Sequence, residues 1–144
     1  MKLLASCFFL IGPLLLTTLS FAQSSNIAVN LSANIPFSFT VERTLLPPGH
    51  YTVRSFGTAD GKTLLIQSAD HRWIKSVRTH GVYSSAQPEL CKLRFLAYGD
   101  KHFLWEVWMP GRQAGNQLSK TAAAIELETE AHRPKAVEVV ADRR

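Results

Sequence analysis

Ile35-Pro36-Phe37-Ser38-Phe39-Thr40-Val41 alternates apolar with polar residues, the chain breaks at Leu46-Pro47-Pro48-Gly49, and alternation resumes as Tyr51-Thr52-Val53-Arg54. Successive side chains of a pleated strand point to opposite faces, so Ile35, Phe37, Phe39 and Val41 share one face and Pro36, Ser38 and Thr40 the other. One face is buried and the other meets water. Two proline rings and a glycine fix the turn between the runs. Pro36 lacks an N–H, which places it at a sheet edge or ahead of the ladder. The stretch predicts two strands and brings no chemistry with it.

Upstream, Ile27, Val29 and Leu31 alternate with Ala28, Asn30 and Ser32 and predict a first strand. Downstream, Ala59-Asp60-Gly61-Lys62 is a hairpin signal, because Asp-Gly takes the positive backbone angles that match strand twist. It joins residues 51–56 to a strand over 62–69. Asp70-His71 leads into a strand over 72–79, whose β-branched and aromatic content outweighs an imperfect alternation. Residues 81–89, with Ser84-Ser85 and Pro88, read as a loop. Cys91, Leu93, Phe95 and Ala97 then alternate with Lys92 and Arg94, and Tyr98-Gly99-Asp100-Lys101 turns the chain. Residues 102–109 return it with Phe103, Trp105, Val107 and Met109 on one face, and His102, Leu104, Glu106 and Trp108 on the other. Apolar bulk on both faces marks this strand as central or covered.

Residues 110–116 read as a flexible polar connection. From Lys120 onward alanine and glutamate favour a helix capped by Ser119 or Thr121, while alternation over 125–130 keeps a strand open for residues 121–131. Pro134 ends that element, and residues 136–141 predict a last strand. The expected fold is mainly β: a single antiparallel small barrel or sandwich of about seven or eight strands, with one C-terminal helix covering an open end.

Met1-Lys2 precedes an uncharged run to Leu19, and small residues at Ser20 and Ala22 match a peptidase site. This predicts a signal peptide over residues 1–22 and one β-rich domain over residues 23–144. Pro13 interrupts the run and argues against a retained anchor, and Cys7 lies too early for a lipoprotein cysteine. The expectation is an exported protein, periplasmic or secreted, with no transmembrane segment after cleavage. With Cys7 removed, Cys91 has no partner for an internal disulfide and reads as a small buried apolar residue. The chain carries 16 basic and 11 acidic side chains, net +5, and loss of Lys2 leaves +4. Basic charge over residues 71–101 and acidic charge at Glu126, Glu128 and Glu130 form no continuous patch, which with export argues against a nucleic-acid partner.

Ile35-Pro36-Phe37-Ser38-Phe39, Leu46-Pro47-Pro48-Gly49-His50-Tyr51-Thr52-Val53, and Phe95 through Tyr98-Gly99-Asp100 to Val107-Trp108 give the chain a family likeness. It resembles a large set of small exported proteins of acidobacteria with no assigned activity, in which the second motif often reads Leu-Pro-Ala-Gly-x-Tyr-x-Val. The likeness spans most of the chain after the leader. It implies export and a compact β-rich fold, and it transfers no site. Pro48 departs from the usual alanine.

No phosphate-cradling glycine loop, Gly-x-Ser-x-Gly elbow, paired-cysteine knuckle or His-Glu-x-x-His helix is present. His50, His71, His80, His102 and His132 are scattered, and they read as surface residues rather than metal ligands. No catalytic residue, cofactor or metal is expected. Aromatic side chains cover much area at little entropic cost, so Trp73 and Trp108, with the basic row Arg72, Lys75, Arg78 and Arg94, form the candidate interaction surface. The reading is a non-enzymatic binding or interaction module of the cell envelope, for an unknown envelope partner or an apolar or anionic ligand. The alternatives are an enzyme assembled from scattered groups such as His71, His102 and Cys91, or an accessory subunit of an envelope assembly.

Overall fold

The computed structural model describes residues 28–57, 61–130 and 133–144; the leader expected over 1–22, Ile27, Asp60 and His132 lie outside them. Among the described residues ten strands and one helix follow in order: β1 (Asn30–Ile35), β2 (Phe39–Val41), β3 (Thr44–Leu46), β4 (Gly49–Ser55), β5 (Thr63–Ser68), β6 (Ile74–Tyr83), β7 (Cys91–Tyr98), β8 (Lys101–Trp108), β9 (Ala114–Leu118), α1 (Ala122–Thr129) and β10 (Lys135–Arg143). Eight strands close a barrel in the order β8-β7-β10-β1-β4-β5-β6-β9, with β9 pairing back onto β8, and every ring pair is antiparallel. Closure removes the open edges a sandwich would leave.

One buried cluster fills the interior, with Leu31, Phe39, Tyr51, Leu64, Leu93 and Phe95 among its members. Register explains why these side chains meet. Leu31 lies opposite Val53, Val53 opposite Ile66, and Phe95 opposite Leu104, so each alternating run delivers its apolar face to the same space. Phe39 packs edge-on against Tyr51 and Phe95, with ring centroids 5.1 and 5.5 Å apart. The Tyr51 hydroxyl donates to the Pro47 carbonyl at 2.7 Å and ties down the turn before β4.

Four expectations change. The run over residues 35–41 is two strands, because pairing passes from β4 at Ile35↔Gly49 to β3 at Phe39↔Leu46 and the chain turns a corner at Pro36, which has no N–H for the ladder. Glu42-Arg43 then makes an unforeseen two-residue hairpin, with Glu42 at φ 54. The loop expected from residue 81 and the connection expected over 110–116 are partly sheet: β6 runs on to Tyr83 and pairs there with β9. Finally, the faces assigned along β8 are interrupted. Arg94 pairs Glu106 while Phe95 pairs Leu104, leaving Trp105 as the extra residue of a β-bulge, so Leu104, Val107 and Met109 enter the core while Phe103 and Trp108 do not.

The helix reading for residues 122–129 holds. Thr121 caps α1, its hydroxyl accepting from the Ala124 N–H at 3.1 Å. Ala124 packs with Tyr98 and Phe103 in a second buried cluster, so α1 covers the outside of the β7–β8 hairpin and not, as its sequence position suggested, an open end of the barrel. Gly99 takes φ 63 at the first central position of that hairpin's two-residue turn, where only glycine is unstrained.

Candidate functional site

A concave feature lies where the barrel wall forks. The edge of β8 that faces away from β7 pairs with β9 at Glu106↔Gln117 and Val107↔Asn116, and nearer its start with β2, in parallel, at Thr40↔Phe103. β9 leaves β8 toward α1 at the point where β2 takes its place. The two partners diverge around a cleft of about 880 Å³.

Ser38 and Thr40 from β2 and its lead-in, with His102 and Phe103 from β8, line the cleft beside the β2–β3 hairpin and the start of α1. Apolar surface comes from Phe103, Ala122, Ala123 and Leu45, the last 64% exposed. Of the charged groups, Glu42 is held by Lys75 at 3.2 Å and Lys120 by Glu128, whereas two cations, Arg43 and Lys101, and one carboxylate, Asp100, have no ion-pair partner among the described residues. Ala122 and Ala123 open α1, so the positive end of the helix borders the cleft, and no acidic side chain occupies its first turn. The His102 ring stacks on Phe37 with centroids 4.0 Å apart, and its Nδ1 is buried without a hydrogen-bond partner.

Lys120 also sits 5.6 Å over the Trp105 ring. Glu128 accepts a hydrogen bond from the Tyr98 hydroxyl at 2.6 Å, and the Lys120 ammonium, then this phenol, hold its carboxyl below the usual range. Burial, with the Glu128 bond, pushes the Tyr98 phenol well above its ordinary value. These bonds fasten α1 to β7 and occupy Lys120 at the cleft rim, leaving Arg43 and Lys101 as its unpaired cations.

The residues chosen from sequence are dispersed. Trp108 is 3% exposed, and its indole N–H donates to Glu106 at 2.8 Å, so it belongs to a packed layer and leaves the surface set. Arg94 is a brace, reaching Glu106 and Glu138 at 2.8 Å each. Lys75 is paired with Glu42, and Arg72 with Asp70 at 3.5 Å. Trp73, 39% exposed, and Arg78 on β6 remain at the surface, and neither lines the cleft. The groups considered for an assembled enzyme also lie apart: Cys91 in the interior, His102 at the cleft, and His71 beside a separate groove on the β1–β4–β5 wall. Among the described residues no three His, Cys, Asp or Glu side chains form a group that could hold a metal, and no helix is long and apolar enough to cross a membrane.

The cleft was illegible in sequence because its residues come from three places with no shared periodicity. The one available signal was Leu45, an apolar residue on the polar phase of a short strand. No family model, no curated protein and no solved structure matches the chain.

Proposed function

We propose that this chain is an exported, non-enzymatic binding module of the cell envelope that takes a small amphipathic anion into the cleft between the β2–β3 hairpin and α1. The cleft carries the reading: it joins apolar surface from Leu45, Phe103 and the first alanines of α1 to two unpaired cations, Arg43 and Lys101. An apolar body with one anionic end fits that combination, because the body removes exposed hydrocarbon from water and the charge meets donors that the fold leaves unused. The filled interior supports the choice of an external site over a lumenal one. The orphaned His102 nitrogen supports it too, since a buried polar group without a partner costs about 1–3 kcal/mol and such costs concentrate at functional positions. Export rests on the leader read over residues 1–22.

The test is thermal unfolding with sodium dodecanoate, using octyl glucoside as a neutral amphiphile. At about a hundredfold over Kd the mass-action gain is about 2.7 kcal/mol, or roughly 10 °C in Tm for a domain of this size. Dodecanoate raises Tm and octyl glucoside does so less. Ala123→Trp, an exposed position that puts a ring in the cleft, abolishes the rise. Absence of any shift, or a rise undiminished in Ala123→Trp, sinks the reading.

A further inference from the structure

On the opposite side of the barrel, four strands round from β8, the outer faces of β1, β4 and β5 form a groove of about 410 Å³. His50 and Arg54 project from β4 onto this wall, Asn30 lies beside Arg54 in register, and Gln67 lies beside Thr52. Arg144 comes alongside through its backbone N–H, which donates to the Asn30 carbonyl at 3.0 Å. His71, at φ 58 in the β5–β6 turn, completes the groove, and its Nδ1 is hydrogen-bonded to the Gln67 side-chain amide, leaving Nε2 as its free nitrogen.

Like the cleft, with Arg43 and Lys101, this groove carries cations without a carboxylate partner. Lys75, Lys92, Arg72, Arg94 and Lys120 each have a carboxylate partner, while Arg54 and Arg144 have none among the described residues. Among the described residues no carboxylate side chain lines the groove. Two carboxylates lie at its margins: Asp142, opposite Ser32 in register, and Asp70, already engaged by the Ser68 hydroxyl at 2.6 Å and by Arg72. None of the large exposed apolar residues lines it either, and a surface that enters a membrane would carry them.

We infer that this groove is a second binding site, independent of the cleft, for a chain-like oligoanion bearing phosphate or sulfate groups. His50 and Arg54 are four residues apart on one strand, about 13 Å along it, so the imidazole at one end and the guanidinium at the other suit two oxyanions of one extended ligand rather than a single ion. Asn30, Thr52 and Gln67 supply hydrogen-bonding groups between them.

Calorimetric titration of the purified protein with tripolyphosphate, and separately with a heparin-type sulfated tetrasaccharide, tests this, and the tighter of the two identifies the source of the oxyanions. Saturable binding of at least one is expected. Arg54→Gln weakens it about tenfold, the loss of one charge-assisted hydrogen-bonding partner. Lys135→Gln, which removes the same charge from an exposed position outside the groove, leaves it unchanged, as does Ala123→Trp in the cleft. The inference is overturned if neither oligoanion binds saturably, or if Arg54→Gln and Lys135→Gln weaken binding equally, which would mean diffuse attraction. It is also overturned if phosphatidylglycerol vesicles bind in an Arg54-dependent way while both soluble oligoanions do not. Failure of dodecanoate binding leaves these outcomes untouched, so the two sites are judged separately.

Discussion

Cys91 opens β7 on the barrel's inner face, 3% exposed, with its thiol 4.0 Å from the Met109 sulfur. Burial pushes the thiol above its ordinary value, and the opposed effects of Arg143 and Asp142 come second. Thiolate is the reactive form, so at pH 7–8 both access and ionisation are withheld. The native protein should therefore give no colour with Ellman's reagent over minutes and one equivalent after unfolding in guanidinium; rapid native reaction would refute the inward placement. Alternation with Leu93 and Phe95 was enough to read this residue, because its strand keeps strict period two from Cys91 to Phe95. The same logic failed at Trp105 and Trp108. A bulge adds one residue and exchanges faces, and single-chain periodicity carries no mark of a partner strand's count.

At the scale of elements, β9 is the strand that sequence hid. Ala114-Gly115-Asn116-Gln117-Leu118 looks like a connection, since glycine and amides are poor strand formers. Yet each departure has a packing reason. A Cβ on Gly115 would sit 2.7 Å from Trp108 Cε3, so glycine is what lets β9 lie against that ring. Asn116 donates to Thr79 Oγ1 at 2.9 Å and to the Gly61 carbonyl at 3.2 Å, tying the strand to β6 and the β4–β5 turn. Gly115→Ala should cost about 1–3 kcal/mol through displacement of the indole, although its backbone angles suit alanine. Urea unfolding monitored by tryptophan fluorescence checks this, and an unchanged midpoint would mean that β9 has room to withdraw. By contrast, the β7–β8 turn and the Thr121 cap were legible, because glycine at a tight turn and threonine before an alanine run act locally.

Across the whole molecule, the closing seam between β8 and β9 is bridged from outside by a polar ladder that spans five neighbouring strands. Glu138 of β10 accepts from Arg94 of β7. Arg94 reaches Glu106 of β8, Glu106 accepts from Gln117 of β9 at 2.9 Å, and Gln117 accepts from His80 of β6 at 3.2 Å. Glu106 is only 5% exposed and is satisfied by Arg94, Trp108 and Gln117 together, which is the condition under which a buried carboxylate is tolerated. Arg94 is thus the member whose loss leaves the buried Glu106 without a cation, and Arg94→Leu should destabilise by about 2–3 kcal/mol at pH 7, against less than about 1 kcal/mol for Lys92→Leu, whose partner is partly exposed. The Arg94 guanidinium, followed by the Lys92 ammonium, holds the Glu138 carboxyl below its ordinary value. A depressed folded-state value stabilises fully above the unfolded carboxylate's titration and is lost as pH falls through the folded one. The gap between wild type and Arg94→Leu should therefore be complete at neutral pH and shrink as the pH drops below about 4.3, where free glutamate titrates. Urea midpoints at pH 7 and pH 3 measure it. An equal gap at both would show that Arg94 stabilises the barrel by packing its aliphatic stem rather than by joining acids on the two flanking strands.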